Sequence, residues 1–205
     1  MTELELYQAA REARKDPVIL NDKTKTAVNI FLRERSLFVA ARETTSNWKD
    51  WAFNILFFKT FGYHTGFLIK AKSVYLQVLK EIGSYDKNTY DTIVFTGYSQ
   101  GGAVASIFFE RFLRKNLTKK KIIGHTFASP RVFSIWKAFV LRKRLKVIQR
   151  FYINTDLVPR VPFFIMGFLH VGSPIKMKYE LELKKFGDIF SSHYPGTYRD
   201  GLREL

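Results

Sequence analysis

Between residues 67 and 153 short apolar strands alternate with amphipathic helices, and this alternation limits the possible folds more than any other feature of the chain. From Phe67 the apolar positions Ala71, Val74, Tyr75, Val78, Leu79 and Ile82 follow helical spacing until Gly83, which suits a helix end. The pattern then predicts a strand over 92–96, a helix over 100–114, a strand over 122–127, a helix over 132–145 and a strand over 147–153. Consecutive short strands joined by helices require right-handed crossovers, which build a central, mostly parallel sheet covered on both faces. The expected fold class is α/β.

The remaining segments add to this frame. No repeat, low-complexity tract or Gly/Ser/Pro linker divides the chain, so residues 1–205 read as a single domain. At its start, Thr2 and Glu5 are spaced as a capping box, and Leu6, Tyr7, Ala10 and Ala13 fall on one helical face. The acidic residues there do not suit a secretion signal, which needs a basic start and an unbroken apolar run. Residues 27–32 and 36–41 are rich in β-forming types and flank the charged Arg33-Glu34-Arg35, which predicts a hairpin. The longest apolar stretch, 161–171, is too short to span a bilayer and holds Pro162 and Gly167. With no cysteine there is no disulfide, thiolate metal site or cysteine nucleophile, and one usual sign of export is missing. The expectation is a protein of the cell interior, cytoplasmic or peripheral to a membrane.

The sequence TIVFT-GYSQGG places Gly97, Ser99 and Gly101 in a G-x-S-x-G pattern directly after a predicted strand and directly before a predicted helix. The pentapeptide alone is weak, because it also occurs as an ordinary glycine-rich turn. Its position is what carries weight. In an α/β hydrolase the nucleophilic serine sits on a strained strand-to-helix turn, where flanking glycines let neighbouring backbones approach. The helix start that follows directs N–H groups and a partial positive charge at the developing oxyanion, which makes the Gln100 N–H the first candidate donor.

Such a serine needs an acid and a histidine later in the chain. Asp156, in FYINTDLVPRVP, follows the predicted strand over 147–153, at the sheet edge where catalytic groups collect; the competing reading is a turn aspartate before Val-Pro. Of four histidines, His64 and His125 precede Asp156, which leaves His170 and His193. His193 is preferred, because SSHYPGTY is a polar loop whereas His170 in GFLHVG reads as a packed strand residue. His64 reads as structural, holding a loop through ring hydrogen bonds, and His125 as core. In this reading His193 acts as general base and acid for Ser99, and Asp156 orients its ring.

Taken in order, FVAARETTSNWKDWAFNI, HTGF, GYSQGGA, FASPRV and YINTDLVPRVP resemble the motifs of the class 3 lipase family, in register over roughly residues 38–198. The third is the elbow, FASPRV stands where the family has Phe-Gly-Ser-Pro-Arg-Val, and YINTDLVPRVP carries Asn-x-x-Asp-x-Val-Pro-Arg, which puts the acid at Asp156. HVG and the late pair His193-Tyr194 agree as well. The resemblance implies an α/β-hydrolase fold, a lipid ester substrate and no cofactor or metal. It also implies a second oxyanion donor at Thr44 and a lid at 47–58, with Trp48, Trp51 and Phe53 in it; a plain core role for those aromatics stands equally open. Three departures stand out. Glu43 replaces the glycine after Arg42, either weakening the oxyanion hole or pointing outward; Gln100 replaces leucine; and Tyr98 replaces histidine before the nucleophile.

Against 18 Asp and Glu stand 34 Lys and Arg, a net charge of +16 that attracts polyanions. The basic residues are densest over 111–121 and 137–150, and the plain expectation is that most of them line solvated helix faces. No recognition-helix, zinc or RNA-binding signature is present, so nucleic acid is not expected. The charge suits an anionic membrane surface better, with FFIMGFLH dipping into the interface. The alternative to a lipid esterase is a catalytically impaired, basic relative that binds anionic membrane or nucleic acid. Oligomeric state is not legible.

Overall fold

The computed structural model describes residues 2–12, 14, 17–42, 58–177 and 191–203. The chain opens with helix α1 (Glu3–Glu12) and strands β1 (Ile19–Asn21), β2 (Thr26–Arg33) and β3 (Ser36–Ala41). Two short strands, β4 (Lys59–Thr60) and β5 (Tyr63–His64), lead into helix α2 (Thr65–Ser84), strand β6 (Thr92–Tyr98), helix α3 (Gln100–Lys115) and strand β7 (Lys121–Phe127). Then come strand β8 (Phe133–Ser134), helix α4 (Ile135–Leu141), strands β9 (Ile148–Ile153), β10 (Phe168–Leu169) and β11 (Ser173–Met177), and helix α5 (Pro195–Leu202).

The main sheet has seven strands in the order β1-β2-β3-β6-β7-β9-β11. The first three run antiparallel, and every pairing from β3 to β11 is parallel. The expected hairpin is β2–β3, closed between Arg33 and Ser36, with Glu34 at a φ of 53°. Two cores follow from the period-2 alternation of the strands. Leu37, Val39, Ile93 and Phe95 face α2 and α3, whereas Phe38, Val94 and Tyr98 face α1 and α5. In β6, at the centre of the sheet, every residue after Thr92 is buried. This is the α/β architecture expected from the alternation, with helices on both faces.

The expected capping box closes α1: Thr2 N–H donates to Glu5 Oε2 at 2.7 Å, and Glu5 N–H donates to Thr2 Oγ1 at 3.2 Å. Ala13, assigned to the same face, lies outside the described residues. The helix expected over 132–145 is broken up. Phe133 pairs with Tyr63 and Leu169 in a second sheet, of order β10-β8-β5-β4, and the helix begins only at Ile135, capped by Ser134, whose Oγ accepts from Lys137 N–H. After Leu141 a 3-10 turn over Arg144–Val147 leads into β9. Tertiary pairing of Phe133 and the local cap decide the start here against a pattern that is apolar at too many positions to show a clean period.

Two of the four histidines, His64 and His170, also differ from expectation. His64 is buried against the rings of Phe67 and Phe168, at 4.4 and 5.5 Å between centroids, and neither ring nitrogen has a hydrogen-bond partner. Its contribution is packing; the loop is held by its backbone N–H, which donates to the Val132 carbonyl at 2.8 Å. His125 lies in β7 and is buried, as expected. His170 follows β10 instead of lying within a strand, and its Nε2 lies 2.6 Å from the Pro159 carbonyl.

Burial pushes the imidazoles of His64 and His125 down to about 4. Both therefore stay neutral in the fold, while the unfolded chain takes up protons below about 6.5. Their contribution is fully present above pH 6.5 and drains away as pH falls towards 4, by about 3 kcal/mol per histidine. Urea unfolding at pH 7 and pH 4.5 should show this loss, and His64→Phe, which keeps the ring packing, should remove about half of it.

Candidate active site

Three glycines set the geometry of the turn between β6 and α3. A Cβ on Gly97 would collide with the backbone of Gly101, one on Gly101 would collide with the Ala41 carbonyl at the end of β3, and one on Gly102 would stand 2.8 Å from Ser129 Cβ. The first turn of α3 therefore sits closer to β3 and β6 than any side chain permits. Between the glycines, Ser99 takes φ 53° and ψ −125°, a backbone conformation that costs a residue with a side chain on the order of 1–3 kcal/mol. Its N–H donates to the Phe127 carbonyl at 2.8 Å, and its own carbonyl accepts from Gly102 and Ala103 N–H at 3.0 and 3.4 Å. Gln100, buried, is the first residue of α3.

The structure brings the three sequence-predicted partners together at this turn. Ser99 Oγ is 2.9 Å from His193 Nε2, and His193 Nδ1 is 2.9 Å from Asp156 Oδ2. The carboxylate accepts, so Nδ1 carries the proton and Nε2 is left to accept from the Ser99 hydroxyl. Asp156 follows β9 and is buried; its Oδ1 accepts from Val158 N–H at 2.9 Å, and its Oδ2 also accepts from the Tyr198 hydroxyl at 2.7 Å. Ser99 and His193 are each 8% exposed, enough to admit a reactant while most of the array is dry.

Two tyrosines fix the histidine and the acid. The ring of Tyr98 stacks on the His193 imidazole at 5.3 Å and 29°, and its hydroxyl donates to the His193 carbonyl. The tyrosine that stands where the family has histidine thus braces His193. Tyr198, on α5, is a functional residue that no sequence motif marks. Its hydroxyl donates to Asp156 and accepts from Ile153 N–H at 3.2 Å. Burial, and after it the Asp156 charge, hold the phenol well above its ordinary value, so it remains a donor. The signal available was the buried face Thr197, Tyr198, Gly201 and Leu202, helical in spacing and close after His193. Ala128, at the edge of this site, has a φ of 52°, which accounts for the glycine of the family's Phe-Gly-Ser-Pro-Arg-Val.

Thr44, Glu43 and the lid candidates Trp48, Trp51 and Phe53 lie outside the described residues. Of the 47–58 segment only Phe58 is described, and its side chain is exposed.

The chain is similar in sequence and in fold to known lipases. The family model for lipase (class 3) matches residues 35–166. A lipase from Rhizopus niveus is 32% identical over 162 residues, covering 76% of this chain and 39% of the relative. A secreted mono- and diacylglycerol lipase from Fusarium solani is 28% identical over 184 residues, covering 80% of this chain and 54% of its own. The chain therefore spans between two fifths and about half the length of these curated relatives. Among solved structures, lipase II from Rhizopus niveus superposes with a TM-score of 0.73 at 23% identity, covering 86% of this chain and 80% of that one, which shows the α/β-hydrolase fold.

Two substitutions test the site's architecture. Ser99→Gly should raise stability in urea by about 1 kcal/mol relative to Ser99→Ala, because glycine relieves the strained φ. Tyr198→Phe removes one donor from Asp156 and leaves Ile153 N–H unpaired, which should cost about 1–3 kcal/mol of stability. If the array is catalytic, a lost bond worth about 1 kcal/mol should also lower kcat roughly fivefold with KM unchanged, read from steady-state ester hydrolysis.

Proposed function

The chain belongs to the class 3 lipase family, and on that premise we propose that it hydrolyses carboxylic esters of lipids, acylglycerols or phospholipids, through an acyl-serine intermediate. The observation that carries this reading is the unbroken relay from the strained Ser99 through His193 to Asp156, with 2.9 Å at each step.

In the proposed reaction Ser99 Oγ attacks the ester carbonyl carbon as His193 Nε2 takes the hydroxyl proton. Asp156, held by Tyr198 and Val158 N–H, keeps the ring in the tautomer that accepts at Nε2 and offsets the positive charge that forms on it. The tetrahedral oxyanion is met by the Gln100 N–H, at the positive end of the α3 dipole. Thr44, implied by the family resemblance, supplies the second donor. His193 then returns its proton to the departing alcohol, leaving the acyl group on Ser99. Water, deprotonated by the same nitrogen, attacks the acyl-enzyme; His193 returns that proton to Ser99 Oγ as the acyl–oxygen bond breaks, and the fatty acid is released. No step calls on a cofactor. The relative named a mono- and diacylglycerol lipase supports partial glycerides as a substrate class, and the net charge of +16 supports an anionic lipid surface as the place where they are met.

A fluorophosphonate probe should label the protein at Ser99 and not label Ser99→Ala, and that variant should lose turnover of long-chain p-nitrophenyl esters by about 10⁶-fold. Absence of labelling in the unaltered protein, with detergent or lipid present, would instead favour the impaired, basic binding protein.

A further inference from the structure

Helix α4 breaks the rule by which a surface helix hides one face and wets the other. It buries Ala138 and Leu141, as a packed helix should, yet it leaves Ile135, Trp136, Phe139 and Val140 exposed, Trp136 to 75%. The anomaly continues on both sides. Ile135 N–H donates to the Gly167 carbonyl, and β10 pairs with β8, so the turn carrying Phe163, Phe164 and Ile165 lies next to the start of α4. Ile165 is 89% exposed. On the other side Ser134 N–H donates to the Gly62 carbonyl, and Phe61, 80% exposed, shares a shallow cavity of about 310 Å³ with Trp136 and Val140. The apolar surface is therefore continuous across three segments, and contiguous exposed patches of this kind mark interaction sites.

Its charge selects the partner. Residues 111–179 hold sixteen Lys and Arg and a single acidic residue, Asp156, which is buried. Directly after α4 stand Arg142, Lys143, Arg144 and Lys146, all exposed, with the Arg142 guanidinium 4.1 Å from the centre of the Phe139 ring. Glu110, which lines the cavity shared by Phe61 and Trp136, is 1% exposed and is neutralised from within: it accepts from the Tyr63 hydroxyl at 2.6 Å and from Arg114 at 3.0 Å, with Lys137 4.0 Å away. The surface thus offers aromatic and aliphatic side chains, a cationic border and no exposed acid over that stretch. Nucleic acid would match the cations and the rings, but it has no use for exposed Ile135, Val140 and Ile165.

We propose that the face formed by α4, the Phe163–Ile165 turn and the Phe61 turn is a docking surface for bilayers that contain anionic lipid, with Trp136, Phe139 and Ile165 entering the headgroup region and Arg142 to Lys146 meeting lipid phosphates. No helix among the described residues is long and apolar enough to cross a membrane. Both arms of the face leave the sheet edge that carries Ser99: β8 follows β7 by five residues, and the Phe163–Ile165 turn follows Asp156 by six. Docking brings that edge towards the lipid. The inference does not depend on hydrolysis, and the test separates the two.

The test is flotation of the full chain, carrying Ser99→Ala, with phosphatidylcholine vesicles with and without roughly 30 mol% phosphatidylserine. Binding should rise steeply with phosphatidylserine and fall as salt approaches about 1 M. The triple substitution Trp136→Ser, Phe139→Ser and Ile165→Ser should lower partitioning by roughly tenfold or more at either composition. The pair Arg142→Glu and Arg144→Glu should abolish the preference for phosphatidylserine. Bromine-labelled acyl chains should quench tryptophan emission in the parent and markedly less in Trp136→Phe. All substituted side chains are exposed, and a thermal melt matching the parent establishes that each variant is folded. Absence of vesicle binding, binding unchanged in the triple variant, self-association through this face without vesicle binding, or oligonucleotide binding that vesicles do not displace would each overturn the proposal.

Discussion

The contact on which the rest of the site depends is the sub-side-chain approach of the first turn of α3 to the ends of β3 and β6. Gly101 lies against the Ala41 carbonyl, and Gly97 lies against Gly101, so there is one place for the chain between them to go. That place gives Ser99 its positive φ, anchors its N–H to β7, and directs its hydroxyl at His193. The strain at one residue is outweighed by the core built on either side of it, where Ile93, Phe95, Phe108 and Phe109 are almost wholly buried. A glycine at position 99 would remove the strain and the hydroxyl together.

The opposite half of the relay is held by a different set of elements. His193 and Asp156 come from loops far apart in sequence, and their alignment relies on the second core, where α1 and α5 cover Phe38, Val94, Phe127 and Phe151. Tyr7 on α1 donates to the Pro195 carbonyl at the start of α5, which sets Tyr198 under Asp156. Tyr98 links the halves: it belongs to β6, packs against Tyr7 and Tyr198, and stacks on His193. An N-terminal helix remote from the reacting atoms thus bears on the orientation of the histidine.

What the sequence disclosed follows from how local each feature is. The strand-turn-helix at Ser99, the hairpin at Glu34 and the capping box at Thr2 are written in neighbouring residues, and all three are present in the fold. Asp156 and His193 were placed by chain order and loop polarity, and the fold sets both within hydrogen-bond reach of one array. Less was legible where long-range packing decides. The four-stranded sheet, which shortens the helix expected over 132–145, depends on Phe133 meeting Tyr63 and Leu169 from distant segments. His64 lacks the ring hydrogen bonds expected of it because its neighbours are the rings of Phe67 and Phe168, a fact no local pattern carries. The role of Tyr198 depends on a contact across 42 residues.

The central claim is that Ser99, His193 and the start of α3 form one reacting centre. A crystal structure of the protein inactivated by a long-chain phosphonate ester tests it most directly. The account predicts phosphorus bonded to Ser99 Oγ, the phosphoryl oxygen about 2.7–3.1 Å from the Gln100 N–H, His193 Nε2 on the side of the departed group, and the Asp156–Tyr198 contact unchanged. Phosphorus on another residue, or an adduct whose phosphoryl oxygen points away from α3, would contradict it.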